Sequence, residues 1–274
     1  MKKVRVGLLG CGTIGGYVMD KIMAMTDSNM EIALVIVRSE TSKGVDHARE
    51  LGVPVVTDVE KIKDYDLDII AESASQESLE KWGEYILSQG ISLVPMSLGA
   101  LVDSELLERM KKAAADHDCK LIVPSGGVGG LDAIRAAMVA GVESAEMICR
   151  KPPVAWKNIP VVEQMDLDLD NMTEETILYE GPTGGCVKDY PQNVNIAAAL
   201  SLASLGFEKT TVKIVADPKV THNTHTIVVK GTNGTLTFTF QNVPVPTHPK
   251  TTYQACASIV ASLQRYSSSY CIGT

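Results

Sequence analysis

Residues 6–18 read VGLLGCGTIGGYV, and this stretch decides the fold of the first half of the chain. A buried-type apolar run breaks at Gly10, Gly12 and Gly15 and then resumes with apolar residues at helical spacing. The segment EIALVIV at 31–37 supplies a second strand about 20 residues further on, as a dinucleotide-binding strand–turn–helix unit requires. This context favours a dinucleotide site. A plain glycine turn is the alternative, because any strand-to-helix turn uses glycine.

Composition excludes several classes of function. The 274 residues carry a formal net charge of −8, which argues against nucleic acid or an anionic membrane surface as the main partner. The six cysteines show no CxxC pair or other ligand spacing, so we expect reduced thiols, no disulfide framework and no metal site. The N-terminal MKKVRVGLLG enters a strand and turn and is not a signal peptide, so we expect a cytoplasmic protein without a membrane span.

Strand and helix patterns alternate through residue 125. This alternation predicts an α/β fold whose first domain is a Rossmann dinucleotide-binding domain with a parallel sheet. Counting KLIVPSGG at 120–127 as a strand, the sheet has six strands. We assign this domain to residues 1–125 and expect a C-terminal helix, at about 250–274, to complete it.

The second half changes character from Ala145 onward, where strand-like and turn-rich segments dominate. HTIVVKGTNGTLTFTFQ at 225–241 alternates apolar residues on both sides of Thr232-Asn233-Gly234, which predicts an antiparallel hairpin. We therefore expect residues 126–249 to form an α+β substrate and dimerisation domain on an open, mostly antiparallel sheet. The proline-rich VPVPTHP at 243–249 predicts an extended crossing back to the first domain.

The cofactor residues follow from the glycine motif and the sheet edge. Gly10 permits the turn, Gly12 lets the backbone approach the pyrophosphate, and the backbone of Thr13 and Ile14 opens the helix. Two further pairs follow the second and fourth strands at the same edge: Arg38 with Ser39, and Ala74 with Ser75.

The tip of the second strand bears on the choice of cofactor. It carries Arg38-Ser39 and no acid for the ribose of NAD, so NADP or NAD is the expected cofactor and a 2′-phosphate is accommodated. A solvent-exposed arginine is the alternative interpretation.

The candidate acid/base is a histidine. DPKVTHNTHTIVV at 217–229 contains His222 in a turn and His225 at the start of a strand, and histidine suits proton transfer near neutral pH. A surface or hydrogen-bonded histidine is the structural alternative. Asn193 and Asn195 stand at the start of an apolar helix, where a simple N-cap is the common role.

Several motifs occur together along nearly the whole chain: GLLGCGTIG, ESASQES, PMSLGAL, PSGGVGGLDAI, RKPPVAW, YPQNVNIAAAL, ADPKVTHNTHTI and NVPVPTHPKTT. In this order they resemble the L-aspartate dehydrogenase family. The resemblance implies oxidation of L-aspartate with NAD or NADP to iminoaspartate, which hydrolyses to oxaloacetate and ammonia or feeds NAD biosynthesis. It also implies a homodimer.

The resemblance further implies roles for individual residues. The family's NxH motif matches 223–225, which makes His225 the catalytic histidine. Its nicotinamide contacts match Gly127, where relatives commonly have alanine, and Asn195. Arg38 stands where many relatives carry an acid, so strict NAD dependence is not implied. The substrate carboxylates need cationic or N–H donors, and the candidates are Asn193, His222, Lys151 and Lys250.

Two other functions compete with this interpretation. One is another amino-acid-pathway dehydrogenase, similar to homoserine dehydrogenase; dihydrodipicolinate reductase is disfavoured because its paired-histidine motif is absent and HNTH stands instead. The other is a dinucleotide sensor without turnover, which gives His225 no task.

Overall fold

The computed structural model describes residues 3–26, 28–190 and 194–273, without the side chains of Lys188, Val194, Pro249 and Lys250. The chain forms two compact units. Unit 1 contains the described residues up to Gly126 together with 246–251 and 255–272, and unit 2 contains the described residues of 127–245 together with 252–254 and 273.

Unit 1 alternates strands and helices. Its strands are β1 (Val4–Leu9), β2 (Met30–Ile36), β3 (Val55–Val56), β4 (Ile69–Glu72) and β5 (Ser92–Pro95). Its helices are α1 (Thr13–Ala24), α2 (Val45–Glu50), α3 (Gln76–Ser88) and α4 (Ser104–Asp116), with 3₁₀ turns at Val59–Asp64 and Leu98–Val102. The last helix of the chain is numbered α9 below.

The sheet of unit 1 is parallel, with the strand order β3-β2-β1-β4-β5. The chain leaves β1 towards β2 and β3 and then returns to β4 on the other side, so the order reverses between β1 and β4. Open α/β sheets bind ligands outside the carboxyl ends of the strands at such a point. The predicted Rossmann-like domain is confirmed.

The prediction of a sixth strand at 120–127 is wrong. Residues 117–130 are described throughout, and only Leu121 joins the sheet, through an isolated parallel bridge to Leu93. The N–H of Leu93 donates to the oxygen of Lys120 (2.8 Å), and the N–H of Ile122 donates to the oxygen of Leu93 (2.8 Å). Pairing ends there because Pro124 has no N–H to continue the ladder.

A hydrophobic core of unit 1 packs against the face of β1 that carries Val6 and Leu8. Val6 and Leu8 pack with Val18 and Met19 of α1, and all four side chains are at most 1% exposed. The helix α9 (Tyr253–Ser267) contributes Ile259, Val260 and Leu263 to the same cluster. The C-terminal helix therefore contributes to the hydrophobic core of the parallel sheet of unit 1.

Unit 2 is built on a second five-stranded sheet of order β10-β9-β6-β8-β7. Its strands are β6 (Val142–Lys151), β7 (Thr176–Pro182), β8 (Thr211–Ala216), β9 (Asn223–Gly231) and β10 (Gly234–Asn242). Its helices are α5 (Leu131–Ala140), α6 (Pro160–Glu163), α7 (Thr183–Asp189) and α8 (Val194–Ala203). Along the chain, β11 (Pro244–Val245) and β12 (His248–Thr252) follow and lead back to unit 1.

The second sheet is mixed. Only β6 and β8 pair in parallel, and the other three pairs are antiparallel, which confirms the open, mostly antiparallel sheet. The predicted hairpin is β9–β10, with Thr232 and Asn233 in the turn and Gly234 at φ +100°. The inner face packs into a core with Ile227 and Val229 of β9.

Over the described ranges, no helix combines the length and the apolar character that crossing a membrane requires.

Candidate functional site

The glycine turn of unit 1 has the steric features of a dinucleotide-binding turn. Gly10 has φ +95°, and a Cβ there would lie 2.9 Å from the backbone of Ala74. A Cβ on Gly15 would lie 2.2 Å from the oxygen of Gly10, so only glycine permits this packing of helix on strand. A Cβ on Gly12 would meet nothing within 4 Å, which leaves space where a pyrophosphate approaches the backbone.

The helix that follows presents free donors. Gly12 is the N-cap of α1 and provides no side-chain hydrogen bond to the helix. Thr13 and Ile14 occupy the first turn, where backbone N–H groups have no intrahelical acceptor. The positive end of the helix dipole adds to their attraction for an anion.

A cleft of about 520 Å³ opens beside this turn and is called the cofactor cleft here. The structure brings together in its lining five residues that the sequence predicted: Gly10, Gly12, Arg38, Ala74 and Ser75. Further lining residues that sequence reasoning missed are Ser42, Lys43, Lys81 and Trp82. The Lys81 ammonium stands 4.7 Å from the centre of the Trp82 ring.

The predicted Ser39 is placed differently from Arg38. Ser42 and Lys43, not Ser39, line the cleft. The Ser39 backbone N–H donates to Ser42 Oγ at 3.1 Å, and its hydroxyl lies 3.1 Å from Thr41 Oγ1. Ser39 thus shapes the turn that carries the lining residues. No sequence pattern predicts this, because the geometry of the turn decides which hydroxyl faces the cleft.

A buried carboxylate beneath the cofactor cleft is a second feature that the sequence analysis missed. Glu72 is the last residue of β4 and is fully buried. Its carboxylate accepts hydrogen bonds from the turns that follow β4 and β5. An acid closing the apolar strand IIAE was the only available signal.

In unit 2, His225 lies on β9, opposite Cys149 of β6 and Phe240 of β10. Its side chain is 4% exposed, and its Nδ1 has no hydrogen-bond partner among the described residues. Burial, and secondarily the charge of Lys151, lower the pKa of His225 from 6.5 to about 4. The imidazole is therefore neutral at pH 7 and able to accept a proton.

Lys151 ends β6 two residues beyond Cys149, on the same face of the sheet as His225. Its ammonium stands 4.7 Å from the ring centre of Trp156, a cation–π geometry. Trp156 is fully buried against Tyr190, with ring centres 6.2 Å apart. This packing positions a cation near the neutral histidine.

Gly127 and Asn195 also belong to unit 2. The side-chain amide of Asn242 donates to the oxygen of Gly127 at 2.6 Å, which ties the glycine loop to the end of β10. A Cβ on Gly127 would lie 2.9 Å from Ile196 Cδ1, so alanine requires that side chain to shift. Asn195 lies in the first turn of α8.

The remaining substrate candidates are His222, Asn193 and Lys250. His222 is exposed in the turn before β9, with its Nδ1 2.8 Å from Thr221 Oγ1. Asn193 lies outside the described residues, as does the side chain of Lys250.

Comparisons with known proteins match both halves of the chain. Residues 132–266 match the family model described as aspartate dehydrogenase, C-terminal, and residues 10–124 match that of the homoserine dehydrogenase NAD-binding domain. The L-aspartate dehydrogenase of Methanosarcina barkeri is 36% identical over 99% of this chain and 100% of its own length. That of Methanosarcina acetivorans is 37% identical over the same shares.

The chain belongs to the L-aspartate dehydrogenase family. Solved structures agree in fold with this family assignment. A crystal structure of aspartate dehydrogenase from Thermotoga maritima matches with a TM-score of 0.77, at 24% identity, over 98% of this chain and 99% of that one. A hyperthermophilic archaeal homoserine dehydrogenase in complex with NADPH matches with a TM-score of 0.60 at 12% identity, over 95% and 96%.

Proposed function

We propose that the chain oxidises L-aspartate with NADP or NAD to iminoaspartate, which water converts to oxaloacetate and ammonia. The observation that carries this proposal is His225: a buried, neutral imidazole whose Nδ1 has no hydrogen-bond partner in the described part of the chain, within a chain of the L-aspartate dehydrogenase family. A protein that only senses dinucleotides, without catalysis, does not need such a histidine as a proton acceptor.

The chain's residues fit a dinucleotide. Gly10, Gly12 and the first turn of α1, with Thr13 and Ile14, would hold the pyrophosphate. Arg38 and Lys43 would pair with a 2′-phosphate, and Ala74 and Ser75 would line the far wall. When bound, the nicotinamide supplies the acceptor for the hydride that leaves the substrate Cα.

Contacts to the nicotinamide side are proposed for two residues of unit 2, from the family pattern. They are Gly127, through its backbone, and Asn195. Asn242 supports this role of Gly127, because its amide fixes the carbonyl of the glycine and so the local backbone.

His225 handles the protons. The substrate nitrogen must lose a proton before hydride can leave Cα, and a neutral imidazole accepts it on its unprotonated ring nitrogen. Water then adds to the iminium carbon and releases one proton to solvent, and the imidazolium returns its proton to the nitrogen, which leaves as ammonia when the hydroxyl of the adduct gives up its proton. Burial keeps bulk water away from the imidazole during the first proton transfer, so that proton passes from the substrate to His225.

Lys151 binds one substrate carboxylate in this proposal. The ammonium is held over the Trp156 ring and acts on His225 through its charge. A carboxylate placed at Lys151 offsets that charge and raises the pKa of His225 towards the range in which a base works best. His222, Asn193 and Lys250 are the further candidates for the second carboxylate.

The test is an activity panel. Purified protein is mixed with NADP+ or NAD+ and single amino acids, and the absorbance of reduced cofactor is followed. We expect reduction with L-aspartate. Reduction with homoserine instead would support the alternative of a homoserine dehydrogenase-like enzyme, whose NAD-binding domain model matches residues 10–124. Dinucleotide binding without any reduction would support the sensor. His225→Ala is the matched control and loses roughly 10²-fold or more in kcat.

The unit boundaries, the oligomer and the location complete the proposal. Residues 1–125 with α9 act as the dinucleotide-binding domain and 126–249 as the substrate domain. The outer face of the second sheet exposes Thr235, Thr237 and Thr239, and we assign it to a homodimer contact, testable by light scattering. Six free thiols fit the reducing cytoplasm.

A further inference from the structure

Glu72 is an unusual residue for the end of a parallel strand. Its neighbours along β4, Ile69, Ile70 and Ala71, are apolar and buried, and Glu72 itself is 0% exposed. Acidic side chains are almost never fully buried unless they are paired, because removing a carboxylate from water is costly. Its retention at this position therefore calls for specific hydrogen-bond partners.

The partners of the Glu72 carboxylate are all donors. Oε1 accepts from the backbone N–H of Ala74 (2.8 Å) and of Ser75 (3.1 Å) and from the hydroxyl of Ser97 (2.9 Å). Oε2 accepts from the backbone N–H of Ser97 (3.1 Å). One carboxylate thus joins the turn after β4 to the turn after β5, at the carboxyl edge of the sheet.

The turn that Glu72 holds is one wall of the cofactor cleft. Ala74 and Ser75 line the cleft. The Ala74 backbone is also the surface on which Gly10 packs, at a distance that excludes a Cβ. In addition, the Ser73 hydroxyl donates to the oxygen of Gly10 at 3.4 Å. A shift of Ala74 would therefore displace the glycine turn as well as the wall of the cleft that Ala74 and Ser75 form.

We propose that Glu72 is a positioning residue for the dinucleotide: its carboxylate, acting through Ala74, Ser75 and Ser97, holds the cofactor cleft in its binding shape. The inference rests on the proposed dinucleotide binding and adds a residue that does not itself touch the ligand.

Protonation of Glu72 weakens this arrangement. A protonated carboxyl carries one O–H donor and has less acceptor capacity left for the N–H and O–H groups that point at it. Burial raises the pKa of Glu72, and the hydrogen bonds from Ser97, Ala74 and Ser75 lower it in part; no charged group is a cause of the shift. The carboxylate therefore takes up its proton at a higher pH than an ordinary glutamate.

The experiment compares wild type with Glu72→Gln by calorimetric titration with NAD+, which lacks the titrating 2′-phosphate, from about pH 5 to about pH 8. A glutamine keeps one acceptor oxygen, but its NH₂ group then faces an N–H or O–H group that donated to the carboxylate, and two donors cannot form a hydrogen bond. We expect NAD+ to bind roughly 10-fold more weakly to Glu72→Gln at the upper end of this range. The wild-type Kd rises as pH falls, while that of the variant stays flat.

Controls separate positioning from general damage. Glu80→Gln changes an exposed acid on α3 outside the cleft and leaves Kd and its pH profile unchanged. The ionisable residues that do line the cleft, Cys11, Arg38, Lys43, Glu77 and Lys81, are common to all the proteins compared, so a difference in the pH profile belongs to Glu72. If Glu72→Gln does not fold, Ser97→Ala replaces it. That variant removes one donor and keeps the carboxylate, and it weakens binding roughly 3-fold.

The outcomes are distinct. Equal affinities and parallel pH profiles for a folded Glu72→Gln and wild type overturn the positioning role and leave the proposed function intact. A wild-type chain that binds neither NAD+ nor NADP+ overturns both. Weaker binding by the variant with loss of the pH dependence supports the positioning role, because a purely structural defect would shift the profile without flattening it.

Discussion

The lowered pKa of His225 makes the stability of the protein depend on pH in a calculable way. In the unfolded chain the histidine has its ordinary pKa of 6.5, and in the fold that pKa is about 4. Between these values the unfolded state binds a proton that the folded state does not, so the free energy of unfolding falls as pH is lowered. The two pKa values differ by about 2.5, which corresponds to about 3 kcal/mol in the free energy of unfolding. This stability is lost progressively as the pH falls from about 6.5 to about 4.

The assay is urea unfolding of wild type and His225→Gln at several pH values across this interval. Glutamine is neutral throughout, so the variant lacks the proton uptake of the histidine. The wild-type free energy minus that of the variant is constant above about pH 7 and decreases by about 3 kcal/mol as pH falls to about 4. Contributions from the other titrating groups cancel in this difference.

Parallel stability curves for the two proteins would contradict this prediction, because they would mean that His225 titrates equally in the folded and unfolded states. A second measurement follows the imidazole proton resonance directly. We expect a midpoint near pH 4 in wild type. A midpoint near the ordinary value for histidine would show that the ring is hydrated in the fold.

Three further predictions concern single side chains. Lys151→Met removes the lesser cause of the His225 shift, so the midpoint of that imidazole moves up but stays below 6.5, and KM for L-aspartate rises. Arg38→Gln raises the Kd of NADP+ roughly 10-fold and leaves that of NAD+ unchanged in a fluorescence titration, because a charged hydrogen bond to phosphate is lost. Gly15→Ala brings a Cβ to 2.2 Å from the oxygen of Gly10. It therefore lowers the free energy of unfolding by at least about 2 kcal/mol in urea titrations.

Two kinds of feature made parts of the fold predictable from the sequence. One is a position where only glycine fits, and the other is an alternation of apolar and polar residues that continues over many positions. A Cβ fits at neither Gly10 nor Gly15, so the spacing of these glycines in the sequence indicates the strand–turn–helix packing directly. The hairpin at 225–241 was predictable because alternation runs on both sides of a turn that needs positive φ at Gly234. The sixth strand was overcounted because Leu121 to Val123 look like a strand, and Pro124 stops the ladder.

The parts of the candidate site that the sequence did not predict depend on side-chain direction. Ser39 and Ser42 are equivalent in type, and only the turn decides that Ser42 lines the cleft. Glu72 looks like a polar end to an apolar strand until its oxygens are seen to accept from two separate turns. Likewise, the cation of Lys151 over the Trp156 ring joins residues whose contact no spacing rule anticipates.

The geometry of unit 2 links the choice of substrate to the strength of the base. With its pKa at about 4, His225 is a poor acceptor for a proton from an ammonium group, and part of that weakness comes from Lys151. A substrate whose carboxylate meets the Lys151 ammonium removes this repulsion at the moment when the base is needed. A neutral amide in the same place brings no negative charge to Lys151, so the pKa of His225 stays low and the base stays weak. In the proposed reaction, discrimination for a dicarboxylic amino acid therefore arises in the proton-transfer step as well as in binding, because the second carboxylate strengthens the base.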